Sequence, residues 1–137
     1  MHHTTVLAID TPGQSLVEFT PGVADWVGET GVGRGLCTLF CRHTSASLLI
    51  QENAAPEVQD DLIAYFDRLA PEGAHYAHNS EGPDDMPAHL KAALTQTHLA
   101  IPVIDGRLAL GTWQGIYLFE HRRRPHRREV ALHLAGE

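Results

Sequence analysis

The stretch Leu36-Cys37-Thr38-Leu39-Phe40-Cys41-Arg42-His43-Thr44-Ser45-Ala46-Ser47-Leu48-Leu49-Ile50-Gln51 decides how this chain is organised. Leu36 to Arg42 is a strongly apolar run that reads as a buried strand. Ala46 to Gln51 reads as a second strand, with His43-Thr44-Ser45 as the polar corner between them. A helix then opens at Pro56, because the first helical turn has no intrahelical use for the N–H that proline lacks. From Glu57 to Leu69, Val58, Leu62, Ile63, Phe66 and Leu69 form an apolar stripe, and Asp60, Asp61 and Asp67 form the wet face.

Working outward, Val6–Ile9 and Ser15–Phe19 are short strand-like runs. Asp10-Thr11-Pro12-Gly13-Gln14 between them is turn chemistry that predicts a hairpin. Val23, Trp26 and Val27 predict a short helix over 22–29, ended by the glycines at 31, 33 and 35. Downstream, Pro71 to Pro83 is an irregular loop of a length that often marks function. A helix from Pro87 to Thr95 follows, then strands at 99–104, 108–110, 115–120 and 129–134. Elements in this mixed order predict an α+β fold over a single domain, 1–137. Two to three helices would pack on a mixed, largely antiparallel sheet.

Composition narrows the function. The chain has 137 residues, 43% hydrophobic and 20% charged, as in an ordinary globular domain. No apolar run approaches the ~20 residues of a membrane span, and the start lacks a basic segment followed by an apolar core. A cytoplasmic protein without membrane contact is expected. The net charge of −7 argues against nucleic-acid binding. Cys37 and Cys41, four apart in one strand, are expected as buried free thiols rather than a disulfide. The basic run His121–Arg128 reads as a solvated hairpin loop, with phosphate steering as the alternative.

Ten histidines are present, and three of them stand in polar blocks. The acidic loop Glu81-Gly82-Pro83-Asp84-Asp85-Met86 leads into Pro87-Ala88-His89-Leu90-Lys91. Asp84 or Asp85 is placed to cap the helix, and Asp85 and His89, four apart, share a helical face. His43, His78 and His89 together predict a three-imidazole metal site with an open fourth position, for zinc or alternatively magnesium. Asp85 and Glu81 are the candidate general bases or orienters of a histidine. Local satisfaction of each histidine by backbone groups is the competing reading. The amides and dipole at the Pro87 helix start, with Lys91, suit a phosphate. Thr44, Ser45, Asn53 and the block Gly111-Thr112-Trp113-Gln114-Gly115 are expected to hold the rest of the ligand: glycines admit close backbone approach, and Trp113 offers a flat wall with one donor.

His43-Thr44-Ser45-Ala46-Ser47, Gln51-Glu52-Asn53-Ala54, His78 through Lys91 and Gly111–Gly115, in that order, resemble the YjbQ family, also called the secondary thiamine-phosphate synthase family. Ala55-Pro56 in place of Asp-Pro, and Leu94-Thr95-Gln96-Thr97, depart from its pattern outside these blocks. The resemblance implies an α+β homotrimer with sites near subunit boundaries. It also implies a pocket lined by His43, His78, Asp85, His89 and Thr112 to Gln114, and a thiamine-phosphate synthase-like transferase activity on phosphorylated small molecules. The main thiamine-phosphate synthases use a (β/α)₈ barrel of ~250 residues, which this chain is too short to build, so such chemistry would need an unrelated site.

Overall fold

The computed structural model describes residues 1–137. Eight strands and three helices follow in the order β1 (His2–Thr11), β2 (Ser15–Glu18), α1 (Thr20–Thr30), β3 (Gly35–Cys41), β4 (Ala46–Glu52), α2 (Pro56–Leu69), α3 (Asp85–Leu94), β5 (His98–Ile104), β6 (Arg107–Leu108), β7 (Gln114–Glu120) and β8 (His126–Gly136). The α+β architecture is as the sequence predicts. The strands divide between a five-stranded sheet, β1-β8-β3-β5-β6, and a three-stranded sheet, β2-β7-β4, and every pairing is antiparallel.

Period-two alternation sets the inner face of the larger sheet. Cys37, Leu39 and Cys41 on β3, Leu99, Ile101 and Val103 on β5, and Val130, Leu132 and Leu134 on β8 all point into one core. Val23 and Val27 of α1 and Leu48, Ile116 and Leu118 of the smaller sheet close it from the other side. β7 is buried on both faces, because Tyr117 and Phe119 turn away from that core towards Leu62, Ile63 and Phe66 of α2. The result is three layers: large sheet, small sheet, helix. Both cysteines are buried free thiols. No helix is long and apolar enough to cross a membrane.

Two expectations fail. The segments around the Asp10–Gln14 turn do not form a hairpin: β1 pairs with β8, and β2 pairs with β7 in the other sheet. Thr11 explains the divergence, since it is buried and its hydroxyl oxygen accepts the His126 backbone N–H at 3.1 Å, tying the end of β1 to the start of β8. Likewise His121–Pro125 is no hairpin loop, because it carries the chain from the small sheet (β7) to the large one (β8). At its end Arg128 lies buried, donating from Nε and Nη2 to the fully buried Glu120 carboxylate at 2.7 and 2.5 Å.

Candidate functional site

The start of α3 gathers the chemistry. Asp85 is the first residue of the helix, and its side chain is 3% exposed. Its Oδ2 lies 2.9 Å from His78 Nε2 and 3.2 Å from His89 Nε2, while Oδ1 accepts from Arg122 Nη1 at 2.7 Å. His78, Asp85 and His89 offer ligand atoms within 4.8 Å of one another, the set that could hold a metal ion. Burial alone would raise the Asp85 carboxyl. The hydrogen bond from His78, with the positive potentials of His89 and Arg122, outweighs it and holds the group below the ordinary carboxylate range.

Arg122 is the residue of this cluster that the sequence reading missed. Its Nε donates to Asp84 Oδ2 at 3.0 Å, its Nη1 to Asp85, and its Nη2 to the Glu81 carbonyl at 3.0 Å. The Arg123 amide adds a bond to Asp84 Oδ2 at 2.9 Å. Asp84 is therefore the residue before the helix but makes no side-chain cap, correcting the expected role. Two adjacent carboxylates at a helix start, matched by an arginine-rich run elsewhere, were the available signal.

His89 is oriented by the corner between β3 and β4. Its Nδ1 lies 2.9 Å from the Thr44 carbonyl. A carbonyl only accepts, so Nδ1 carries the proton and Nε2 faces Asp85. His89 also forms one wall of a groove of about 620 Å³ between α3 and the outer face of β3. His43 lies in that groove but outside the metal-capable trio. Its Nε2 accepts the Glu129 backbone N–H at 2.7 Å, which uses the lone pair that the expected three-histidine site needed. Burial, reinforced by the charge of Arg128, lowers its pKa and keeps it neutral.

Other expected residues lie elsewhere. Glu81 sits at the exposed rim, its Oε2 3.7 Å from His78 Nε2. Lys91 is no anion ligand at the helix start. It is buried, and its ammonium donates to Asp67 Oδ1 on α2 at 2.6 Å. Ser45 accepts from Arg128 Nη2 at 3.0 Å and serves the Glu120 pair. Asn53 receives no ligand-facing role from its contacts: its amide N–H donates to the Trp113 carbonyl and its side chain to Glu18.

The Thr112-Trp113-Gln114 block stands far from the histidines within one chain. β4 and β7 pair from Ala46↔Glu120 at the histidine end to Glu52↔Gln114 at the other. Six residue steps at ~3.4 Å put the two ends ~20 Å apart. There Gln114 Oε1 accepts the Gly111 amide at 2.7 Å, and Trp113 is 63% exposed.

A small α+β domain with a carboxylate set between two imidazoles and locked by an arginine defines the class. The chain belongs to the YjbQ family: the family model for UPF0047 protein YjbQ-like proteins matches residues 5–137. It is 55% identical over 136 residues to UPF0047 protein sll1880 of Synechocystis sp., covering 98% of this chain and 92% of that one. It is 45% identical to UPF0047 protein YjbQ of Escherichia coli O157:H7, covering 77% of each chain. The crystal structure of a YjbQ/UPF0047 family protein from Clostridium acetobutylicum superposes with a TM-score of 0.89 at 35% identity, covering 96% of this chain and 99% of that one.

Proposed function

We propose that this protein is a metal-assisted enzyme acting on a phosphorylated small molecule, with His78, Asp85 and His89 holding one divalent ion. The observation that carries this reading is the Thr44 carbonyl. It holds a proton on His89 Nδ1 and turns Nε2 to within 3.2 Å of a carboxylate oxygen. That separation calls for a positive centre between the two atoms, which is either a proton on Nε2 or, in this reading, a metal ion that displaces it. A histidine that donates its other N–H to a backbone carbonyl is the usual arrangement of a metal ligand. Two imidazoles and one carboxylate suit zinc, whereas magnesium favours more oxygen ligands.

When bound, the ion would supply Lewis-acid chemistry to a phosphoryl oxygen. Arg122 occupies Asp85 Oδ1 and leaves Oδ2 for the ion. Glu81, at the exposed rim 3.7 Å from His78, would move a proton. Transfer of a phosphate-bearing fragment, as in thiamine-phosphate synthesis, and hydrolysis of a phosphoester both draw on these parts.

The working form we propose is a homotrimer. Val6, Leu36 and Ile104 are 48%, 45% and 57% exposed on the uncovered face of the large sheet, which gives neighbouring copies an apolar contact. A second copy would also let Trp113 approach the histidines of its neighbour, which lie ~20 Å away within one chain. The free thiols suit a reducing cytoplasm.

Elemental analysis of protein purified without a metal-affinity tag and equilibrated with zinc tests the reading. One zinc per chain in the wild type, lost in His89→Ala, is expected. A wild type that holds none refutes it.

A further inference from the structure

We infer that the His2–His133 pair on the outer face of the large sheet makes the contact between copies of this chain pH-dependent, holding the copies together while the pair is neutral and releasing them when it takes up a proton. This rests on the homotrimer proposed above and adds to it the group that regulates the contact.

β8 runs between β1 and β3 in the large sheet, and alternation puts Glu129, Ala131, His133 and Ala135 on its outer face. His2 stands on the same face of β1, whose Thr4 lies directly opposite His133. The Nδ1 of His2 is 3.1 Å from His133 Nε2, and the ring centroids are 5.2 Å apart. At that separation one nitrogen donates its proton and the other accepts it. Val6, Leu36 and Phe40 share this face as exposed apolar side chains. A hollow of about 300 Å³ opens among them, with His133, Val6, Thr38, Phe40 and Ala131 in its walls. A side chain of a second copy seated in that hollow strips water from His133.

A proton added to the pair finds nothing to neutralise it. The neighbours of His133 on this face are Thr4 and Thr38 across the strands, and Ala131 and Ala135 along β8. The carboxylates further off are each taken by an arginine: Glu129 by Arg42 at 3.1 Å, Asp10 by Arg127 at 3.6 Å, and Glu137 by Arg34. The other charges are positive or become so: the Met1 ammonium on the Gly136 carbonyl, Arg107 on β6, and His98 opposite Phe40. An imidazole in water gains its proton near pH ~6.5. A separated copy hydrates that charge, whereas an apolar seam between copies does not. Assembly therefore expels protons, and the copies part as the pH falls. The association constant drops by up to ~10-fold per pH unit for each proton expelled. Net charge alone predicts the opposite sign, because −7 at pH 7 shrinks on acidification and repulsion between copies weakens.

Sedimentation equilibrium between about pH 7.5 and about pH 5.5 reads the association constant across the imidazole range, and far-UV circular dichroism checks that separated copies stay folded. The wild type is expected to associate at least ~10-fold more weakly at the lower pH. The double variant His2→Gln, His133→Gln keeps polar side chains that take up no proton, and should show no such loss. A second measurement needs no variant. Dilution calorimetry of the wild type at about pH 6, in two buffers of different ionisation enthalpy, should count ~1 proton taken up per separating copy. No proton uptake overturns the inference and leaves the homotrimer standing. So does a loss equal in the wild type and the double variant, or dissociation that occurs only with unfolding. A wild type that sediments as a single chain at every pH removes the homotrimer and this inference with it.

Discussion

Replacing Arg122 with methionine isolates the arginine that holds Asp84 and Asp85. The substitution keeps a similar apolar stem and removes three side-chain donations: to Asp84 at 3.0 Å, to Asp85 at 2.7 Å and to the Glu81 carbonyl at 3.0 Å. Asp85, 3% exposed, would keep a charge with no arginine beside it, whereas Asp84 is 14% exposed and retains the Arg123 amide. Breaking a buried pair from one side costs ~3–5 kcal/mol. Arg122 is 22% exposed and partly screened by water, so the lower end, about 3 kcal/mol, is the expected loss for metal-free protein at pH 7. Urea denaturation followed by circular dichroism reads it directly. Bound zinc would restore positive charge beside Asp85, so the loss measured with saturating zinc should shrink by at least ~1 kcal/mol. A metal-free loss below ~1 kcal/mol, typical of an exposed pair, would refute the account of Arg122 as the clamp of the site.

His121 is buried, its Nε2 within 2.8 Å of Ser47 Oγ and its Nδ1 without a partner, and burial pushes its pKa down to about 3. Its unfolded value is near ~6.5. The unfolded chain therefore binds the extra proton across that window, and stability present above pH ~6.5 falls as the pH drops towards 3, by at most ~1.4 kcal/mol per unit. His121→Gln should flatten this slope between pH 7 and 5 in urea titrations. Lys91→Met should cost about 1 kcal/mol, because Asp67 is half exposed and can be rehydrated. It should leave the affinity for a phosphonate, a non-hydrolysable phosphate mimic, unchanged in calorimetry, and a ten-fold loss there would return Lys91 to the ligand. Trp113→Ala should alter the stability of the separated chain by less than ~0.5 kcal/mol and weaken the proposed trimer in sedimentation velocity.

What the sequence made legible is what repeats locally. The apolar stripe of α2, the alternation in β3 and β5, and the Asp85–His89 spacing all follow from periods of 3.6 or 2. The missed features depend on partners far along the chain. Asp10–Gln14 correctly signals that the chain reverses, but turn chemistry says nothing of the sheet each arm joins, and β1 finds its partner more than a hundred residues away. The basic run looked solvated because charge is solvated by default. Three of its members, His121, Arg122 and Arg128, instead hydrogen-bond to Ser47, to Asp84 and Asp85, and to Glu120. His43 was grouped with the other histidines by residue type, whereas its lone pair is taken by a β8 amide that no spacing rule reveals. Lys91 sits on the helix that carries His89, but two residues on, where the helix turns it towards α2.

The position of β8 between β1 and β3 has a further consequence for how the molecule comes into being. The ten-residue register of β1 runs only along residues 126–135, more than a hundred positions later. On a ribosome, that strand therefore waits with a bare edge while the intervening chain is made, a state open to mispairing. Arg122 arrives in the same late segment, so the carboxylates at the head of α3 stay unclamped until the large sheet can close. Removing β8 should then yield an aggregating polypeptide rather than a merely weakened fold.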